Sequence, residues 1–486
     1  MTEALFYIRK DKQTELVCCK ISNDEIEIVN MVITNNNEII NYDLISQVSE
    51  IEFEKTNDFE NELFFHYYIK YITHIDCLFK KYSVEKVRFI GNNKDLNYIR
   101  SYCRKNKIQV ITNFNQYKTN TILVFSLTAN FIVSLLGALY IAFYSIIKHN
   151  KTFSKEVLTS SIEFSLIHSR SSYKKIHNVL NKNVIYYYDS YKFDLPDDKR
   201  HYSFYSILSR KDLLKNIFIL PIATIILFRK TFITSKKILG FNGAVLSMDF
   251  FSKRISHFIL ISKIYLKIFK NSKSKIFYSG ERESRYGVIA MKLRDKSKIK
   301  AVCIPHGMAY AYRFPLGVFG DLFYSTSENE AEFLSKQYIT KEFVFDRKVV
   351  SKMFSYNKKN ESKKVIFFTE PRKVKINIDI IKVLIESVKG IKIKLHPADE
   401  YSNYSQFKDI EFVDDFADSI SGNICLARKS TILIEALYNK STPVAILFDK
   451  DDKFDFENMF PSLRSNGIIK VYNDVQLKDV LNKYNI

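Results

Sequence analysis

Residues 391–400 read IKIKLHPADE, and this stretch decides the fold. Ile391 to Leu395 alternate apolar and basic residues, which suits a short strand, and His396-Pro397 follow at its carboxyl end. Ligands of open parallel sheets bind beyond the carboxyl ends of the strands. A histidine there can reach a phosphate oxygen or a leaving group, and Pro397, with its fixed φ, sets the turn that aims it. The alternative is a histidine that only closes a strand end. Outward from this point, Val365–Phe368, Glu411–Val413 and Val444–Leu447 read as further strands, with helices over Ile376–Val388 and Thr431–Tyr438. Strands and helices alternating over short connections build a parallel sheet with covering helices.

The same rhythm runs through earlier parts of the chain. Val87–Ile90 and Ile108–Thr112 flank a helical stretch, Leu96–Arg104. Ile276–Tyr278, helix Ser284–Leu293 and strand Ala301–Ile304 repeat it. Residues 336–364 are polar and Lys-rich without a clear period, which suits a linker. The expected organisation is an N-terminal α/β domain over 1–335, the linker 336–364, and a C-terminal α/β domain over 365–486.

The rhythm breaks inside the first domain. Thr119 to Ile147 carries no charge over its length, and Lys118 and Lys148 border it. Two further apolar runs are edged with cations: Ile217–Phe228, which contains Pro221, and Ile255–Phe269, which contains Lys263 and Lys267. Apolar helices edged with lysine are what an interfacial membrane anchor needs. Residues 117–270 are therefore expected to be a hydrophobic and basic helical insertion that touches an anionic membrane surface. A true span and a buried soluble core are the alternatives. A lone span over 119–147 would put the two halves of one active site on opposite sides of the bilayer.

The chain has 486 residues, enough for two or three domains, and 46% are hydrophobic, enough to fill real cores. Lys and Arg number 74 against 53 Asp and Glu, so the net charge is +21 and anionic partners are favoured. No zinc-finger spacing, basic zipper or RNA-binding aromatic signature accompanies that charge, and nucleic acid is not an expected partner. The six cysteines form no C-x-x-C pair, which argues against a disulfide framework or a zinc site and suits a reducing cytoplasm. The opening residues MTEALFYIRKDKQTEL lack a signal-peptide core, so export is not expected.

Three more strand ends carry candidate chemistry. Arg428-Lys429-Ser430-Thr431 precede a helix, with Ser430 or Thr431 as its N-cap; such a helix start binds phosphate, and the basic pair adds charge. Ile304-Pro305-His306-Gly307 offers a glycine for close backbone approach and a histidine that can act as a base. Ser279-Gly280-Glu281-Arg282-Glu283 offers carboxylates that could deprotonate an acceptor hydroxyl, or could simply pair with nearby arginines. Asp449-Lys450-Asp451 matches a D-x-D metal motif in form, but its Lys/Asp-rich loop reads as solvated and no metal site is expected.

In order and spacing, Lys394-Leu395-His396-Pro397, Lys429-Ser430-Thr431, Glu435-Ala436-Leu437 and Thr442-Pro443-Val444 resemble the bacterial GT-B glycosyltransferases with a His-Pro motif and a later Ser/Thr motif. These include sialyltransferases and polysialyltransferases, capsule polysaccharide (Kdo-type) transferases and, more distantly, CDP-glycerol glycerophosphotransferases. Ile304-Pro305-His306-Gly307 looks like the His-Gly turn of several of them, and the likeness covers residues 275–486. Ser441-Thr442 stand where many relatives have a glycine before the proline, and the acidic sialyltransferase motif has no clean copy.

The resemblance implies two Rossmann-type domains and an inverting transferase of capsule, O-antigen or lipooligosaccharide synthesis at the cytoplasmic face of the plasma membrane, held peripherally. It implies a CMP-activated donor (sialic acid or Kdo-like) as substrate with no separate cofactor or metal, and a glycan or lipid-linked glycan as acceptor. His396, Pro397, Lys429, Ser430 and Thr431 would hold the donor phosphate, and Glu281, Glu283 and His306 would face the acceptor, with His396 also aiding departure. The competing expectations are a CDP-glycerol or CDP-ribitol polyol-phosphate transferase and a non-catalytic membrane scaffold of a polysaccharide assembly complex. A sugar-nucleotide 2-epimerase would have no use for the hydrophobic insertion.

Overall fold

The computed structural model describes residues 2–10, 15–21, 24–27, 75, 78–80, 82–90, 99–100, 102–104, 106–112, 116–149, 157, 159–180, 183–195, 199–280, 285–294, 298–309, 320–337, 342–356, 363–371, 374–388, 390–407 and 410–484. Three sheets organise them. The first holds β1 (Thr2–Lys10), β2 (Glu15–Ile21), β3 (Asp24–Glu27), β4 (Val84–Phe89) and β5 (Gln109–Thr112), in the order β3-β2-β1-β4-β5. β4 and β5 are parallel, as expected for that stretch, but β1 runs antiparallel to β2 and β2 to β3. This sheet has its own core, in which Phe6 stacks on Phe89 at 5.4 Å between ring centroids. The expected single domain over 1–335 is thus two units, because the first sheet buries its apolar face locally.

The second unit begins with α1 (Gln116–Ile147), β6 (Phe164–Ile167), α2 (Arg170–Leu180), β7 (Ile185–Tyr188) and β8 (His201–Ser203). α3 (Arg210–Phe251), α4 (Ile255–Asn271), β9 (Ile276–Ser279), α5 (Arg285–Arg294), β10 (Lys300–Cys303), β11 (Leu322–Tyr324), α6 (Glu328–Gln337) and β12 (Glu342–Val344) complete it. The sheet order is β12-β11-β10-β9-β6-β7-β8, and every pairing is parallel.

Two expectations are corrected here. Residues 117–270 are not one insertion, since β6, β7 and β8 inside that range are strands of this sheet. Within the range, α4 is not a surface anchor. Its Phe258, Leu260, Ile264 and Phe269 are buried, and the Phe269 ring packs on Phe277. Lys263 and Lys267, which suggested an interface, reach sideways to Asn216 and Asp212 of α3.

Among the described residues of the linker expected over 336–364, regular structure is present. The segment contributes the edge strand β12 and then α7 (Arg347–Phe354), capped by Asp346, whose carboxylate accepts from the backbone N–H groups of Lys348 and Val349. α7 is amphipathic, and its Val350, Met353 and Phe354 enter the core between the two parallel sheets.

The third unit holds β13 (Val365–Phe368), α8 (Val374–Ser387), β14 (Lys392–Lys394), β15 (Glu411–Phe412), β16 (Ile424–Ala427), α9 (Ile432–Leu437), β17 (Thr442–Ile446) and β18 (Ile469–Val471). Its order is β15-β14-β13-β16-β17-β18, all parallel. Numbered from its own first strand, each parallel sheet follows the doubly wound order 3-2-1-4-5-6, the second unit adding a seventh strand. The chain therefore carries two Rossmann-like α/β units. One apolar cluster joins them, with Ile176, Tyr186 and Ile304 from the second unit and Phe368, Leu433 and Ile434 from the third.

Candidate functional site

In a doubly wound sheet the ligand crevice opens where the winding reverses, between the first and fourth strands. Those points are β6/β9 in the second unit and β13/β16 in the third. Gly280 follows β9, and a Cβ there would come within 2.5 Å of the Ser172 Cβ in the first turn of α2, so only glycine fits. The His306-Gly307 turn follows β10, the neighbouring strand. The His306 ring bonds the Gly280 carbonyl through Nδ1 at 3.1 Å. A carbonyl only accepts, so Nδ1 carries a proton, and in the neutral ring Nε2 is the nitrogen with the lone pair.

Across the junction, Ser430 and Thr431 follow β16 and open α9. The Ser430 hydroxyl accepts from the Ile432 N–H at 3.3 Å, the local role expected of a capping serine. Thr431 has helical backbone angles and makes no cap bond. A Cβ on Gly307 would lie 3.3 Å from the Thr431 Oγ1. The two motif turns, far apart in sequence, therefore meet face to face.

A buried ion pair fixes that meeting. Lys175 of α2 donates to the Glu435 carboxylate of α9 at 2.7 Å and to the His306 carbonyl at 2.8 Å. Neither side chain is more than a tenth exposed, at 8% and 6%. The Tyr356 hydroxyl donates to the other Glu435 oxygen at 3.1 Å, and burial together with that carboxylate pushes the phenol pKa well up. Lys175 also stands 4.4 Å above the Phe354 ring. Sequence reasoning missed Lys175, one lysine among many. It quoted Glu435 as part of a motif without giving it a role.

His396 sits where expected, beyond β14. Its backbone N–H donates to the Thr369 hydroxyl at 3.0 Å, tying the turn to the end of β13. Nδ1 accepts from the Ala398 N–H at 3.0 Å, so the neutral ring carries its proton on Nε2. The two candidate histidines are thus held in opposite tautomers. The His396 turn and the Ser430 turn are two strands apart on one edge, about 10 Å at ordinary strand spacing.

The basic pair before Ser430 is differently employed from the expectation. Arg428 is buried and forms a two-pronged pair with Asp452, one contact at 2.8 Å, and reaches the Asn377 side chain at 3.3 Å. Lys429 pairs with Asp455 and stands 3.4 Å from Asp452. Carboxylates from the helical segments after β17 (Lys450–Phe454 and Asp455–Met459) therefore already meet both charges, and the Arg428–Asp452 partnership spans 24 residues that local reading does not connect. Glu281 and Glu283 lie outside the described residues.

Partial burial lowers the His396 pKa below its ordinary 6.5, against an opposing pull from Asp399. The imidazole is expected to titrate below 6.5 by NMR in the nucleotide-free protein. A nearby phosphate stabilises the charged ring, so added CMP is expected to move the midpoint upward. An unmoved midpoint under saturating CMP would remove His396 from the phosphate site.

No family model matches the chain, and no curated protein matches it. Solved structures do. The UDP-GlcNAc 2-epimerase of Methanocaldococcus jannaschii is 12% identical over 66% of this chain and 92% of that one, with a TM-score of 0.38. The UDP-GlcNAc 2-epimerase of Neisseria meningitidis, bound to UDP-GlcNAc, is 9% identical over 66% and 91%, at 0.41. The wall teichoic acid polymerase TagF is 12% identical over 80% and 89%, at 0.35. At such scores these are distant likenesses, and the site is read from its own residues.

Proposed function

We propose that this chain is a nucleotide-dependent glycosyltransferase of cell-surface polysaccharide synthesis, working at the cytoplasmic face of the plasma membrane with its donor between the two Rossmann-like units. The observation that carries the reading is the junction itself, where Gly307 and Thr431 approach across a gap that a single Cβ would nearly fill. His306 stands beside it with an Nε2 lone pair, and His396 offers an Nε2 proton on the donor side.

Those tautomers suit an inverting displacement. His306 Nε2 accepts the proton of the acceptor hydroxyl as the oxygen forms its bond to the sugar carbon. The bond from that carbon to the phosphate oxygen breaks on the opposite face, and the nucleotide leaves with the electron pair. His396 Nε2–H, the Ser430 and Thr431 hydroxyls and the start of α9 receive the charge that develops on the phosphate. Glu281 and Glu283 remain second candidates for the base. The donor we propose is CMP-activated, carrying a sialic acid or Kdo-like sugar, by the resemblance of the His-Pro and Ser/Thr motifs.

A thermal-shift screen with CMP, CDP, UDP and GDP, repeated on His396→Ala, tests this. CMP and CDP are expected to stabilise the wild-type protein and to lose that effect in the variant. Stabilisation by UDP or GDP alone would discard the cytidine donor. No shift with any nucleotide would favour the scaffold. Turnover of CDP-glycerol or CDP-ribitol in place of CMP-sugars would make the chain a polyol-phosphate transferase.

A further inference from the structure

The geometry points to α1 and α3 as a monotopic anchor: they seat one continuous apolar face in a single leaflet of an anionic bilayer and bring the carboxyl edge of the second sheet down to the headgroups. This inference deepens the membrane attachment proposed above and rests on that part of the reading.

The two helices are antiparallel. The Phe131 ring packs on Phe228 with centroids 5.3 Å apart, and His149 meets the Leu208 carbonyl at 3.1 Å. In that register their apolar windows, Leu123–Ile147 and Arg210–Ile233, lie side by side, and only 33% and 28% of each is buried. A core helix of a soluble protein hides its bulky apolar residues and shows polar ones. Here the buried sides carry Asn130, Ser134, Ala138, Asn216 and Thr224 among larger residues. The outward sides carry Phe125 and Phe218, each 73% exposed, and Ile147 at 72%. Small and polar groups within, bulky apolar groups without, is the arrangement of helices whose solvent is hydrocarbon.

The outward residues form one stripe rather than a full ring. On α1, Phe125, Ile132, Leu136, Phe143 and Ile147 recur at helical spacing along one face. On α3, exposed Lys215 and Arg229 lie on the same face as exposed Phe218, Ile222 and Ile226, and they bracket those residues. The uncharged stretch between them is about 20 Å long at 1.5 Å per residue, short of the roughly 30 Å of a hydrocarbon core. With cations at headgroup level at both ends, it lies along one leaflet rather than across the bilayer.

α3 also turns back rather than running on. Phe228 lies against Phe131 and Ser252 bonds Asn130, neighbouring residues of α1, whereas a straight helix would separate 228 from 252 by about 36 Å. Phe232 and Phe241 touch at 6.0 Å within the bend. The chain that enters the leaflet with α3 therefore returns to the same side.

The orientation follows from tyrosines. Tyr140 and Tyr144 of α1 pack on Tyr191, with centroids 6.2 and 5.2 Å apart, and Tyr191 lies just past the carboxyl end of β7. Tyr140 and Tyr191 are exposed, as aromatic residues at a membrane–water boundary are. This is the same edge of the same sheet that carries Gly280 and the His306 turn.

The chain contains no tryptophan, so single introduced tryptophans report without background. Phe218→Trp, Ile226→Trp, Tyr191→Trp and Tyr401→Trp are read in vesicles of phosphatidylcholine and phosphatidylglycerol in equal parts, brominated at shallow or deep acyl positions. Phe218→Trp and Ile226→Trp are expected to shift to the blue and to lose most of their emission to mid-chain bromine. Tyr191→Trp is expected to be quenched by shallow bromine only, and Tyr401→Trp, exposed on the third unit, by neither. Unchanged emission at both 218 and 226 would overturn the anchor, and equal quenching at 401 and 191 would overturn the orientation. CMP stabilisation of the same samples reports on the nucleotide reading separately, so the two can fail independently.

Discussion

Lys175→Met is expected to destabilise the protein by about 3–5 kcal/mol, read as a lower urea midpoint, because it leaves the Glu435 carboxylate buried without its cation. Tyr356 would still donate to Glu435, but one neutral donor does not replace an ammonium. Glu435→Leu alone should cost a similar amount, stranding Lys175 with only the His306 carbonyl and the Phe354 ring. The double variant Lys175→Met/Glu435→Leu should recover much of the loss, since an apolar pair of similar volume carries no desolvation cost. The cycle reads a contact between two units whose residues stand 260 positions apart. If Lys175→Met moved the midpoint no more than a surface substitution, the pair would not be holding the junction. The variant has a second consequence. Lys175 holds the carbonyl of His306, so on the proposed assignment of His306 to the acceptor and His396 to the donor, nucleotide binding should weaken less than turnover.

Asp452→Ala is expected to cost a comparable 3–5 kcal/mol, and for a sharper reason. Arg428 is fully charged at any ordinary pH and cannot escape by losing its proton. Its guanidinium is 1% exposed and Asp452 is 0% exposed, so neither water nor a rotamer change can substitute. Asp455→Ala is the control. That carboxylate pairs with Lys429 but is 29% exposed, and its loss should cost no more than about 1 kcal/mol. Equal midpoints for the two variants would show that the Arg428–Asp452 pair is not a structural tie. The contrast also separates roles in the basic pair. Arg428 holds the helical segment Lys450–Phe454 to the end of β16, whereas Lys429, which keeps Asp452 at 3.4 Å when Asp455 is removed, is the more exposed of the two cations.

Val365–Phe368 and Val444–Ile446 were legible because a parallel strand covered on both faces is a short unbroken apolar run, whereas Ile424–Ala427 and Ile469–Val471 went unread. The strand–turn–helix signals around His396-Pro397 and Ser430-Thr431 are also local, set by proline, by hydroxyl caps and by the end of an apolar run. Strand β12 and helix α7 were not legible. Glu342–Val344 is too short to show a period, and the surrounding lysines mask the apolar face that Val350, Met353 and Phe354 turn inward. The lysines of α4 misled for a related reason: a lysine beside an apolar helix marks a membrane edge or a partner across the way, and Lys263 and Lys267 have Asn216 and Asp212.

The sequence by itself determined that parallel α/β elements recur within residues 365–486, that a His-Pro turn and a Ser-Thr turn close two of their strands, and that one long uncharged run, Thr119–Ile147, interrupts the earlier α/β pattern. Each of these is encoded locally, by periodicity, composition and turn chemistry. Only the tertiary structure decided that the first strands form a separate mixed sheet, that Gly307 faces Thr431, that Lys175 finds Glu435 rather than solvent, and which side of α1 and α3 stays uncovered. Those outcomes depend on which surfaces meet after the chain has closed loops of tens to hundreds of residues. Burial and charge pairing then select the partners, and no local pattern in the sequence records that choice.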